Sequence, residues 1–81
     1  MDDVEQKLIE IFRAGLSLEM KDGDIRELRR MAHPQWDSMG HLNLILASED
    51  VFQVSIPEDQ GSTINSFAEM TELIQKLRQP R

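Results

Sequence analysis

Two prolines constrain this chain more than any other feature. Pro34 biases His33 toward extended backbone, and the Ile56-Pro57 pair imposes a second break. Between them the chain enters a helix at Asp37 or Ser38, and helical spacing carries it to about Phe52, over 38–52. Just beyond the second break, PEDQG predicts a short helix over 57–61, with Pro57 at the first position, where a missing N–H costs nothing.

The flanking segments follow the same period. Asp2 and Asp3 offer N-caps and negative charge to a first helix over 4–16, in which Val4, Leu8, Ile11, Phe12 and Gly15 or Leu16 share one face. Ser66-Phe67-Ala68-Glu69 reads as a capping box: the Ser66 oxygen meets the Glu69 amide and the Glu69 carboxylate reaches back to the Ser66 amide. A last helix over 66–77 then turns Phe67, Met70, Leu73, Ile74 and Leu77 inward. Residues 17–36 contain Gly23 and Pro34 and little periodicity, so they read as a long loop, with DIRELRRM as a possible turn presenting Ile25, Leu28 and Met31 inward. No segment alternates with a period of two. The expectation is an all-α bundle of three main helices, one short helix and a long loop between the first two main helices.

Size and charge narrow the function. A single domain of 81 residues has a small core. Fifteen acidic against nine basic side chains give a net charge of −6, which disfavours nucleic acid and anionic lipid and suits basic protein surfaces. No apolar run approaches the roughly 20 residues that span a bilayer, so no membrane insertion is expected. MDDVEQKL is acidic where a secretory signal is basic and then apolar, and the expected location is cytoplasmic. Without cysteine, any thiol chemistry must come from a cofactor.

The helix over 38–52 is apolar on two sides. At about 100° per residue, Leu44, Ala47, Ser48, Val51 and Phe52 gather on one face and form the expected core side. Met39, Leu42 and Leu46 fall opposite, with Asn43, Glu49 and Asp50 among them. Either the loop or the short helix covers this stripe, or it is a docking surface with an acidic rim. Its small area predicts a monomer.

At the start of that helix, Asp37 and Ser38 are both competent N-caps. If Asp37 caps, Ser38 is left free where backbone amides and the helix dipole favour an anionic substituent such as a phosphodiester. Asp37-Ser38-Met39, LNLILASEDVF, VSIPED and INSFAEMTELIQKL, in that order over roughly the C-terminal half, resemble the acyl carrier proteins. The resemblance implies a four-helix acyl-carrier-like bundle and a non-catalytic carrier, with 4'-phosphopantetheine covalently attached to Ser38 by a phosphopantetheinyl transferase using coenzyme A. Acyl groups would ride on the arm as thioesters, in fatty acid or specialised lipid or polyketide-like biosynthesis. Asp37 would assist recognition by the transferase. Met39, Leu42, Leu46 and Ile56 would be apolar docking contacts, and Glu49, Asp50 and Glu58 would meet basic surfaces on acyl-activating and acyl-transferring enzymes. An aminoacyl, peptidyl or D-alanyl carrier shares the same features, and an unmodified helical interaction module is a third reading.

Several residues depart from the family's pattern. Gly40 and Asn43 stand where family members often carry acids, Met39 replaces the usual leucine, and Ser48 takes a position commonly filled by a large apolar side chain. Trp36 is expected to pack against the bundle and fix the approach into the helix, Ser48 to leave a gap or to be met by Trp36 or Met31, and Arg29 and Arg30 to be solvated. His33 and His41 lack a third ligand at metal-site spacing and are expected to be exposed. KDGD at 21–24 lacks the ladder and closing glutamate of a calcium loop. No residue is assigned a catalytic role.

Overall fold

The computed structural model describes residues 3–78. Helix α1 spans Asp3–Gly15, α2 Asp22–Arg26, α3 Ser38–Phe52, α4 Glu58–Gly61 and α5 Phe67–Arg78, with a 3₁₀ turn at Arg30–Ala32. The chain is all-helical, with no strand among the described residues; a lone antiparallel bridge joins Arg29 to Ser66. Among these residues no helix is long and apolar enough to cross a membrane.

Capping explains several of the boundaries. Asp3 lies inside α1 and pairs with Lys7 one turn on, so it is not the cap, and Asp2 lies outside the described residues. The helix closes when Ser17 takes a left-handed φ of 53° and the Leu18 amide donates to the Arg13 carbonyl at 2.9 Å, a Schellman closure usually built on glycine. Gln53, with φ of 55°, ends α3 in the same manner, with the Val54 amide on the Glu49 carbonyl at 3.3 Å. At α5 the capping box is displaced by one residue. The Glu69 amide donates to Ser66 Oγ at 3.1 Å as expected, but the Glu69 carboxylate accepts from the Asn65 amide at 2.7 Å rather than from Ser66. Ser66 itself is held in the bridge to Arg29, flanked by the Arg30 amide on the Asn65 carbonyl and the Phe67 amide on the Leu28 carbonyl.

Residues 17–36 are more regular than a long loop. Ile25 and Leu28 are buried, and α2 is clamped to α1 by Arg13 with Asp22 and by Arg26 with Glu5 at 3.0 Å. KDGD belongs to this clamp, as the approach to α2 and its first turn. The Met31 side chain lies outside what is described.

The core gathers around α1, which packs against α2, α3 and α5. Val4, Leu8, Ile9, Ile11 and Phe12 meet Leu44 and Phe52 of α3 and Phe67, Met70 and Ile74 of α5, while Leu73 and Leu77 pack at the edge. The buried arc of α3 is Gly40, His41, Leu44, Ser48 and Phe52. Val51, expected in the core, is 45% exposed although its helical position falls within that arc.

Ser48 is fully buried and its hydroxyl has no hydrogen-bond partner; Trp36 gives its N–H to another acceptor. A buried unsatisfied hydroxyl costs about 1–3 kcal/mol, and alanine is also the better helix former. Ser48→Ala is therefore expected to stabilise the protein by about 1–3 kcal/mol, seen as a higher urea midpoint.

Candidate functional site

The chain reaches α3 through a tight turn. Pro34 takes the second position of that turn, closed by the Trp36 amide on the His33 carbonyl at 3.1 Å, while the Gln35 amide donates to His33 Nδ1 at 3.3 Å. His33 is thus half-buried and engaged, not freely solvated. Trp36 is 2% exposed and sets its ring edge-on to Phe12, centroids 5.0 Å apart, which anchors the turn to α1.

Asp37 is the N-cap of α3. Its backbone is extended, its Oδ1 accepts from the Gly40 amide at 2.8 Å, and its carbonyl accepts from the His41 amide at 2.8 Å. Ser38 is therefore the first helical residue, is exposed, and makes no hydrogen bond with its hydroxyl. The helix dipole favours negative charge at this position.

Downstream of Ser38, Met39, Leu42 and Leu46 are 68%, 51% and 54% exposed, so neither the loop nor α4 covers the stripe. Asp50 is exposed at the far end. Glu49 is half-buried and commits one carboxylate oxygen to the Ile56 amide at 2.8 Å, which ties the end of α3 to the segment leading into α4. Ile56, expected as a docking contact, belongs to the core at 8% exposure, because that tie turns it inward against Gly61. Glu58 is exposed at the start of α4. Pro57 precedes α4 as its N-cap and is not its first residue.

Between α3 and α4 lies a cleft of about 180 Å³ that begins at Ser38 and is lined by Leu42, Ile45, Ile56 and Pro57, with Glu58 the carboxylate in its wall. Sequence reasoning missed this cleft, because the contact of α4 with α3 is tertiary and leaves no periodic trace. It also missed His41. Expected in solvent, that ring is 8% exposed: it accepts from Trp36 Nε1 at 3.0 Å through Nδ1, and its Nε2 lies 2.9 Å from the Gly61 carbonyl oxygen. Burial pushes the His41 pKa down from its ordinary 6.5, the Gly61 carbonyl partly opposes this, and the charge of Arg30 adds to the lowering.

Gly40 has a steric reason to be glycine. A Cβ there would lie 2.6 Å from Leu16 Cδ2 and 2.7 Å from the Gln35 carbonyl oxygen. The leucine can turn away, but the carbonyl is backbone. Alanine gains about 1 kcal/mol of helix propensity, against about 1–3 kcal/mol for overpacking. Gly40→Ala is expected to lower stability on balance, by up to about 2 kcal/mol, and Gly40→Asp, which places a larger, charged side chain at this turn, to cost more. Urea melts of the two variants measure the order. No protein-family model matches this chain, and no curated protein matches it either.

Proposed function

We propose that this chain is a small helical-bundle carrier protein that holds acyl groups as thioesters on a 4'-phosphopantetheine arm at Ser38. One observation carries the reading: Asp37 takes the capping duty and leaves the Ser38 hydroxyl exposed and unengaged at a helix N-terminus, between an apolar cleft and an uncovered apolar stripe. The residues fit the group. The first helical position accommodates a phosphodiester without burying its charge, and the cleft offers apolar walls beside it.

In the modifying reaction Ser38 Oγ forms a bond to the phosphorus of coenzyme A that bears the pantetheine, the pyrophosphate linkage breaks, adenosine 3',5'-bisphosphate leaves, and the hydroxyl proton passes to the transferase. The attached group supplies the thiol that a chain without cysteine lacks. Met39, Leu42 and Leu46 then serve as the landing face for acyl-activating and acyl-transferring enzymes, with Asp50 and Glu58 steering basic surfaces toward it. Tethering raises the effective concentration of cargo at a docked active site to the order of millimolar, so weak docking by a cytoplasmic monomer suffices.

The unmodified interaction module uses the same exposed stripe but gives Ser38 no chemistry. Incubation with coenzyme A and a broad-specificity phosphopantetheinyl transferase, followed by intact mass measurement, separates the two. The carrier reading expects the chain to gain one phosphopantetheine; a folded sample that stays at its starting mass leaves the module.

A further inference from the structure

Among the described residues His41 is the buried ionisable side chain, and carriage at Ser38 gives it no task. Its ring joins three parts of the fold: the turn before α3 through Trp36, α3 itself, and the end of α4 through Gly61. An indole N–H only donates and a carbonyl only accepts. Both contacts are therefore satisfied by one species alone, the neutral imidazole with its proton on Nε2. The same ring also lines the cleft beside Ser38.

We propose that His41 is a proton-operated latch between Trp36 and α4: the neutral ring fixes the cleft at about 180 Å³ with an apolar wall, and protonation at Nδ1 releases Trp36 and widens it. With Nδ1 protonated, two N–H groups confront one another across 3.0 Å, the Trp36 bond is lost, and a cation sits where water scarcely reaches. The ring must move or its surroundings must open.

The neighbouring charges do not favour the imidazolium in its present place. From the 3₁₀ turn Arg30 repels the imidazolium. On the approach to α3 the Asp37 carboxylate is engaged with the Gly40 amide, and the buried side chains of α1 and α5 carry no ionisable group. From α4, Glu58 stands in the cleft wall as its one carboxylate. None of the hydrogen bonds of His41 goes to a carboxylate, so a charged ring is left uncompensated where it sits, and an apolar group resting in the cleft it lines loses its dry wall. That consequence for cargo rests on the carrier reading; the latch itself does not.

The folded chain takes up this proton less readily than the unfolded chain, so the stabilisation is complete above about 6.5 and is lost as pH falls from there through the lowered folded value. An NMR titration from about pH 8 to about pH 5 tests the latch. In the neutral protein the His41 nitrogen shifts should identify the Nε2–H tautomer. On acidification the Trp36 indole N–H resonance and the methyl resonances of Ile45 and Ile56 should move together with the His41 ring, at one midpoint below 6.5. His41→Gln should abolish the indole and methyl transitions. An Nδ1–H tautomer, an indole resonance that stays flat while His41 titrates, or the same transition in His41→Gln overturns the latch. Should His41→Gln not fold, the wild-type tautomer and the coincidence of midpoints decide alone. Carriage fails separately: a chain that titrates as described but gains no mass at Ser38 keeps the latch and loses the arm, whereas normal mass gain with a flat indole does the reverse.

Discussion

Ser38→Ala is expected to abolish the gain of phosphopantetheine completely while leaving stability within about 0.5 kcal/mol of the parent, the ordinary range for an exposed substitution. The two halves of this result have separate causes. Modification requires an oxygen nucleophile at this position, and alanine has none. Stability is insensitive because the hydroxyl bonds to nothing and the first turn of α3 is held by Asp37 Oδ1 on the Gly40 amide. Asp37→Ala gives the complementary pattern, losing about 1 kcal/mol with the cap while keeping the nucleophile. Intact mass and a urea melt on the same sample read both quantities. A mass gain that persists in Ser38→Ala places the modification on another hydroxyl and removes the basis of the carrier reading.

How far this site could be read from sequence depended on how local its causes were. A helix mouth at Asp37 or Ser38 and the apolar stripe of α3 follow from spacing within one helix; the Gly40 amide on Asp37 Oδ1 decides that Asp37 is the cap, and the exposure of Met39, Leu42 and Leu46 settles which side of α3 faces its neighbours. Environments made by distant segments were harder to read, although Trp36, packed on Phe12 of α1, was expected against the bundle. His41 looked like a polar residue on a helix surface, yet its acceptor is 20 positions away at Gly61. Ile56 looked like an exposed residue at a break, and an amide contact to Glu49 turns it inward. Gly40 read as a missing acid in the first turn of α3, whereas its lack of a side chain is demanded by the Gln35 carbonyl and by Leu16. The helical turn at Asp22–Arg26 was obscured because its stabilisation comes from ion pairs to α1 and burial of Ile25, not from its own length.

These tertiary links also rank the two ends of the site. Ser38 is free to change because nothing depends on its side chain, while the turn that presents it depends on Trp36, and Trp36 depends on α1. A chain this size concentrates such dependence on few side chains.

Phe12 is where that dependence converges. Fully buried, it meets the Trp36 ring at 5.0 Å and 89° and the Phe67 ring at 5.1 Å and 65°, so one side chain joins α1 to the turn before α3 and to the first residue of α5. Truncation to alanine removes the ring's burial and leaves a cavity bounded by two further aromatics, a loss of about 3–5 kcal/mol. For 81 residues the whole stability is on the order of 4–12 kcal/mol, so Phe12→Ala is expected to retain a small fraction of it or none. Leu46→Ala, on the uncovered side of α3, is expected to change stability by no more than about 0.5 kcal/mol although it too deletes a large apolar group. Urea melts followed by Trp36 fluorescence compare the pair directly, since Trp36 is the sole tryptophan and touches the deleted ring. Similar midpoints for the two variants would mean that the three-ring cluster does not hold the turn, and the placement of Ser38 would then need another cause.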